Sequence, residues 1–239
     1  MERLAGKCLS VLLALVLFSM FALPAAAVGF SAVASMSQAR NFHSATVLPS
    51  GKVLVAGGNG ASGTLNSAEL YDAATNTWGS AGSLSAVRYL HTATLLPSGK
   101  VLIAGGNGVN GALSSAELYD PISNTWSSAG ALNAGRYYHT ATLLPSGKVM
   151  VVGGYVSGTV LNSAELYDPV SNSWSSAGAI STARFSHTAT LLPSGTVLVA
   201  SGAAAVALNS AELYDPVANS WSNAKPLSVA RSLILSTFR

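Results

Sequence analysis

The sequence is almost without cysteine and poor in charge. Cys8 is the single cysteine in 239 residues, and charged side chains make up only 9% of the chain. One thiol closes no intrachain disulfide and supplies no set of thiolate ligands, which excludes a disulfide scaffold and a zinc finger. Low charge beside 49% apolar residues excludes a disordered chain, whose composition is the reverse. Twelve bases against nine acids leave a formal net charge of +3. That is no basic field to follow a phosphate backbone, so nucleic acid is excluded as a partner. Long hydrophobic runs are missing too. The longest, Val11 to Leu23, falls short of the roughly 20 residues that span a bilayer, so no membrane span is expected.

Arg3 and Lys7 precede that run, and Pro24-Ala25-Ala26-Ala27 follows it. A basic start, a short apolar segment and a small-residue site describe a secretory signal peptide. The expectation is a signal over 1–27, cleavage after Ala27 and an exported domain over 28–239, extracellular, periplasmic or held at the cell surface. Leu4 to Cys8 is reminiscent of an acylation site, but it precedes the apolar run and Lys7 interrupts it. Cys8 leaves with the signal, so the exported domain has no thiol nucleophile and must be held by packing alone.

The rest is organised by a repeat. Arg-x-x-His recurs at Arg40/His43, Arg88/His91, Arg136/His139 and Arg184/His187, each 48 residues after the last. Trp78, Trp126 and Trp174 keep the same interval, and Trp221 comes one residue early. Ala-Glu-Leu-Tyr-Asp returns with Glu69, Glu117, Glu165 and Glu212. A fixed period near 50 residues means stacked supersecondary units that bury their faces against one another. The units are 40–87, 88–135, 136–183 and 184–230.

Each unit predicts four short strands. In the second they are His91–Leu96, ended by Pro97-Ser98-Gly99; Val101–Ala104, ended by Gly105-Gly106; Ser115–Tyr119, closed by Asp120-Pro121; and a run through Trp126 to Ala131. β-Branched and aromatic residues fill the strands, and Gly, Pro, Asn and Asp separate them. No helical periodicity is sustained anywhere after the leader. Strands apolar on both faces suit small sheets sandwiched between neighbours.

In Arg-x-x-His-Thr-Ala-Thr-Leu-Leu-Pro, the double glycine, the Glu-x-Tyr-Asp strand and the spaced tryptophan, the chain resembles the kelch repeat, in the version of the galactose oxidase-like propellers. The resemblance runs from Phe30 to about Arg231. It implies an all-β, kelch-type β-propeller with four complete four-stranded blades, the first strand of each innermost and the fourth outermost. Partial strands flank the four units: Phe30 precedes Arg40 by ten residues, as Trp78 precedes Arg88, and so marks an orphan outer strand, and the stretch after Arg231 begins another inner strand with Ile234 in place of His. The count predicts an open or truncated ring with association-prone edges, or a tight ring with loose termini.

After position 27 every acid lies in the Glu-Leu-Tyr-Asp motif and every histidine in Arg-x-x-His. Acid–base catalysis needs a group tuned differently from its relatives, and here each candidate has equivalents in the other repeats. No catalytic residue, metal ligand or cofactor site is assigned. Glu69, Glu117, Glu165 and Glu212, which alternation turns into blade interfaces, are read as buried partners of Arg40, Arg88, Arg136 and Arg184, one per repeat, the donor to Glu117 being Arg88 or its counterpart in the next blade. His43, His91, His139 and His187 are expected to bond a neighbouring backbone, and Trp78, Trp126, Trp174 and Trp221 to pack as framework. Galactose oxidase-like copper chemistry uses a thioether-linked cysteine, which a chain without a mature thiol cannot form. That carbohydrate-active reading, with its sugar-epimerising variant, remains the alternative, beside a fragment of a longer propeller.

Variation lies on one face. The turn before strand one and the loop between strands two and three share it, whereas Pro-Ser-Gly and Asp-Pro turns repeat on the other. Variable loops on a rigid frame are the usual home of recognition. The candidate ligand-binding residues are Phe42, Tyr89, Tyr137, Tyr138 and Phe185 in the Arg-x-x-His inserts, with Asn59, Asn107, Asn110 and Tyr155 in the loops. Their aromatic rings suit a glycan or a protein partner; rings that merely wedge adjacent blades are the alternative reading. The expected protein is a secreted or cell-surface binding module.

Overall fold

Alternating β-branched and small residues, broken every few positions by turn formers, give short antiparallel strands and no helix among the described residues. The structure, a computed structural model, describes residues 32–232. The expected signal peptide over 1–27, Phe30 and the tail with Ile234 lie outside them. The blades all lie in the unit that begins at Ala34.

Four antiparallel four-stranded sheets follow one another, each a meander. The first comprises Ser44–Val47, Val53–Ala56, Ser67–Asp72 and Thr77–Ser83. The second comprises Thr92–Leu95, Val101–Ala104, Ser115–Asp120 and Thr125–Ala131. The third comprises Thr140–Leu143, Val149–Val152, Ser163–Asp168 and Ser173–Ala179. The fourth comprises Thr188–Leu191, Val197–Ala200, Ala211–Asp215 and Ser220–Ala224. These are the four blades of the repeat. First strands of successive blades lie side by side, as do fourth strands.

Two details differ from the sequence reading. Inner strands are shorter, starting one residue after the histidine, because that residue carries the strand's first pairing, Thr92 with Ala104. Outer strands are not apolar on both faces. In Thr125–Ala131 only Ala129 is buried and Trp126 half-buried, since no further strand covers the rim. The loops between strands two and three are also ordered, as two-residue hairpin arms: Asn59–Gly60 with Gly63–Thr64, Asn107–Gly108 with Gly111–Ala112, and Tyr155–Val156 with Thr159–Val160.

The core is not one mass but three interfaces. Leu54, Ala56 and Ala68 of the first blade pack on Val101, Ile103 and Tyr119 of the second. Leu102, Ala104 and Ala116 pack on Val149, Val151 and Tyr167, and Met150, Val152 and Ala164 on Val197, Val199 and Tyr214. The same positions thus mate three times. The two end faces are less covered: Val47 is 62% exposed, and Tyr71 and Leu198 are only half-buried where their equivalents Tyr119 and Met150 are fully buried. The faces of the first and fourth blades thus do not mate with each other as successive blades do.

Each linker between blades is fixed by a buried arginine. Arg88 Nη1 donates to Gly105 O at 2.7 Å and to Ser115 O at 3.0 Å, and Nη2 donates to Ser115 Oγ at 3.0 Å and to Glu117 Oε1 at 2.7 Å. Glu117 Oε2 accepts the N–H of Ser85 at 2.8 Å. Arg40 with Glu69 and Arg184 with Glu212 repeat the pair at 2.6 and 3.1 Å, and Arg136 pairs with Glu165. A charge with 0% side-chain exposure is tolerable because both terminal nitrogens of the guanidinium are filled this way, although Arg88 Nε is buried without a partner among the described residues. The tryptophans tie the rim: Trp126 Nε1 donates to Ala81 O, Trp174 to Ala129 O, Trp221 to Ala177 O and Trp78 to Ala34 O, at 2.7–2.8 Å. On the opposite face Asp120 Oδ1 accepts the N–H of Ile122 at 2.9 Å, and its carboxylate lies 3.2 Å from Lys100.

Candidate functional site

The double glycine decides where the variable face begins. A Cβ on Gly57, whose φ is +62°, would stand 2.5 Å from Arg88 O, and one on Gly58 2.7 Å from Asn41 O. Only glycine lets the next blade's arginine and the blade's own insert approach so closely. The insert is then bridged to the loop between strands two and three: Asn41 with Asn59, Tyr89 with Asn107, Tyr137 with Tyr155, Phe185 with Ala203. The two variable segments of each blade are therefore one structural surface.

The bridge forces the following residue into the left-handed region. Phe42, Leu90, Tyr138 and Ser186 have φ of 52°, 56°, 56° and 49°. Bulky L-residues rarely adopt this conformation, and when they do the site is a functional candidate. All four line a single cleft of about 630 Å³, together with His91, His139, His187, Thr188, Ser201, Leu227 and Arg231. Apolar side chains form much of the rim, and the histidines bring polar groups to the wall.

Of the residues singled out in the sequence, Phe42 and Tyr138 line this cleft. Tyr89, Tyr137, Tyr155 and Phe185 stand beside it in a run of touching rings. Phe42 meets Tyr89 at 6.2 Å between centroids, Tyr137 meets Tyr138 at 5.3 Å and Tyr155 at 5.6 Å, and Phe185 meets Tyr138 at 6.0 Å and Tyr155 at 5.6 Å. Burial, with neighbouring phenols adding to it, raises the pKa of Tyr137 and of Tyr138, so both stay neutral. Asn107 Nδ2 donates to Tyr89 Oη at 2.7 Å, and Asn59 anchors its bridge to Asn41. Asn110 sits on the exposed turn between Gly108 and Gly111 and does not line the cleft. Leu90 and Ser186 were missed because the sequence reading looked for aromatics; the usable signal was register, the second insert position of every repeat.

Three of the histidines bond a side-chain hydroxyl of the preceding blade: Ser44 Oγ with His91 Nε2 at 2.8 Å, Thr92 Oγ1 with His139 Nε2 and Thr140 Oγ1 with His187 Nε2 at 2.9 Å. The residue after each histidine supplies the hydroxyl for the next blade's histidine, so backbone groups stay in the strand ladder. Burial is the main cause, and Arg88 a further one, of a His91 pKa pulled down to about 3. Burial and Arg184 do the same to His187, also to about 3. Burial holds His139 well below its ordinary value. Near neutral pH these rings are uncharged and are very weak bases. Among the described residues no three of His, Cys, Asp and Glu are grouped to hold a metal ion, and no helix is long and apolar enough to cross a membrane.

Residues 80–232 match the family described as the KLHDC2/KLHL20/DRC7 Kelch-repeats domain. No curated protein matches the chain.

Proposed function

The chain belongs to this Kelch-repeats family, a β-propeller architecture, and from that membership we propose that it is a binding module without catalytic activity, whose cleft takes a segment of a protein partner. One observation carries the reading. Four non-glycine residues, Phe42, Leu90, Tyr138 and Ser186, are held at positive φ around the same cleft, at a position that differs from blade to blade. A frame that repeats its buried chemistry while varying a strained rim is built for recognition. Low histidine basicity and the pairing of every framework glutamate with an arginine speak for binding rather than acid–base chemistry. These features weigh against the galactose oxidase-like or epimerising alternative.

A glycan is the second reading, favoured by the ring cluster of Tyr137, Tyr138, Tyr155 and Phe185, since aromatic faces stack on sugar rings. The module works outside the cytoplasm in this proposal, which rests on the segment from Met1 to Ala27. Screening the purified domain against a displayed-peptide library and a glycan array tests the first two points together. Peptide hits lost in Tyr138→Ala support the first reading, glycan hits lost in the same variant support the second, and hits untouched by Tyr138→Ala and Phe42→Ala refute the cleft. Amino-terminal sequencing of exported material should begin at Val28.

A further inference from the structure

Five linkers in this chain carry the same signals, and the described residues hold only four seats for them. The linkers run over 34–40, 81–88, 129–136, 177–184 and 224–231. A seat is one blade's tryptophan and glutamate together with the carbonyls that receive the arginine. Trp78 and Glu69 seat the first linker through Ala34 O and the N–H of Ser37. Trp126 and Glu117 seat the second through Ala81 O and Ser85. Trp174 and Glu165 seat the third through Ala129 O and Asn133, and Trp221 and Glu212 the fourth through Ala177 O and Ser181.

The fifth linker is built like the others on the side of its own blade. Leu227 N–H donates to Asn209 O at 2.8 Å, Arg231 N–H to Leu208 O at 3.1 Å, and Gly202 N–H to Arg231 O at 3.0 Å. These repeat Leu84 to Asn66, Arg88 to Leu65 and Gly58 to Arg88. Its outward side has nothing to meet among the described residues. Arg231 is exposed, where Arg88, Arg136 and Arg184 are fully buried. Leu227 is half-buried, where its equivalents Leu84, Leu132 and Ile180 are buried. The first linker is the converse: it fills a seat, but the blade face around that seat, with Val47 and Tyr71, is uncovered.

We propose that Ala224–Arg231 seats in the first blade of a second copy of this chain, displacing that copy's Ala34–Arg40. In the seat the Arg231 guanidinium takes Gly57 O, Ser67 O and Glu69 Oε1. Ser228 N–H takes Glu69 Oε2, and Ala224 O takes the indole N–H of Trp78. One linker replaces an equivalent one, so the arginine, serine and indole bonds are remade, and the bond from Ser67 Oγ to Gln38 is given up, since Val229 stands in register with Gln38. The gain is the contact between the fourth-blade face and the first-blade face, surfaces of the kind that already mate three times inside each chain. That repetition is why the occupant is a second copy. The contact is heterologous, so it closes two copies into a ring or continues into longer chains. It shares Leu227 and Arg231 with the wall of the cleft.

Sedimentation of the full exported chain over a wide concentration range tests the exchange. The expected result is a mass that rises with concentration. Arg231→Glu, which turns the plug's charge against Glu69, should raise the dissociation constant at least about tenfold while leaving the melting temperature unchanged. Ser228→Pro, which deletes the N–H meant for Glu69, should weaken association in the same direction. A monomer at every concentration overturns the proposal, and so does association that both variants leave untouched.

Discussion

Arg88 and Glu117 meet at 2.7 Å with 0% and 6% of their side chains exposed. The arginine lies in the linker and the glutamate in the third strand of the blade that follows, so one ion pair fixes how each blade follows the last. Arg88→Met strands a buried carboxylate, and Glu117→Gln leaves a buried guanidinium short of its counter-charge. Either change should lower unfolding free energy by about 3–5 kcal/mol, read from urea denaturation. Unmoved midpoints in both variants would show that the pair is solvated.

That an arginine meets Glu117 was legible because the two residue types recur in step and because alternation turns Glu117 inward; which blade's arginine it is was not. The blade count, strand order and kelch resemblance were legible for the same reason: a repeat shows its own register. What stayed hidden depends on contacts between blades. Nothing in Arg-x-x-His says that His91 reaches Ser44, 47 residues back, because the pairing arises only when first strands lie side by side. The left-handed φ at Leu90 and Ser186 was hidden too, since neither residue favours it and only the bridge to the neighbouring loop imposes it. Asn110 looked like Asn107 in sequence, yet a single turn separates an anchored residue from an exposed one.

Strain at the cleft rim should be measurable at Ser186, where φ is 49°. Ser186→Gly removes the steric penalty while loosening the unfolded chain, so the two effects nearly offset and stability should shift by less than about 0.5 kcal/mol. Ser186→Val adds β-branching in the left-handed region and should cost about 1–2 kcal/mol. Equal melting temperatures for the two variants would mean that the rim is not strained.

The uncovered first-blade face predicts unequal costs for equivalent tyrosines. Tyr119 is fully buried between two blades and its hydroxyl donates to Asn124 Oδ1 at 2.8 Å. Tyr71 keeps the matching bond to Asn76 at 3.0 Å but is only half-buried. Truncating Tyr119 to Ala should cost about 3–5 kcal/mol, in the range of other buried aromatics, and Tyr71→Ala less than half of that. Equal losses, measured well below any concentration at which the chain associates, would mean that the first blade is covered as fully as the second.

Acid should destabilise the fold through its buried histidines. His91 and His187 have native pKa values of about 3, far below the value of about 6.5 in an unfolded chain. Between those limits the unfolded state binds more protons than the native one, so stability falls as pH falls. The contribution is complete above about pH 6.5 and is lost progressively toward pH 3. Each fully titrating histidine gives a slope of about 1.4 kcal/mol per pH unit, and His139, also depressed, adds to it. Urea unfolding at pH 4.5 should therefore show at least about 3 kcal/mol less stability than at pH 7.5. His91→Gln can keep an amide near Ser44 but cannot take up the proton, so it should flatten the slope by about one histidine's worth. The backbone N–H of Ile122 and the ammonium of Lys100 hold Asp120 below its usual range, so its protonation comes later. Stability that stays level down to pH 4.5 would mean that the histidines titrate freely and the hydroxyl bonds between blades do not form.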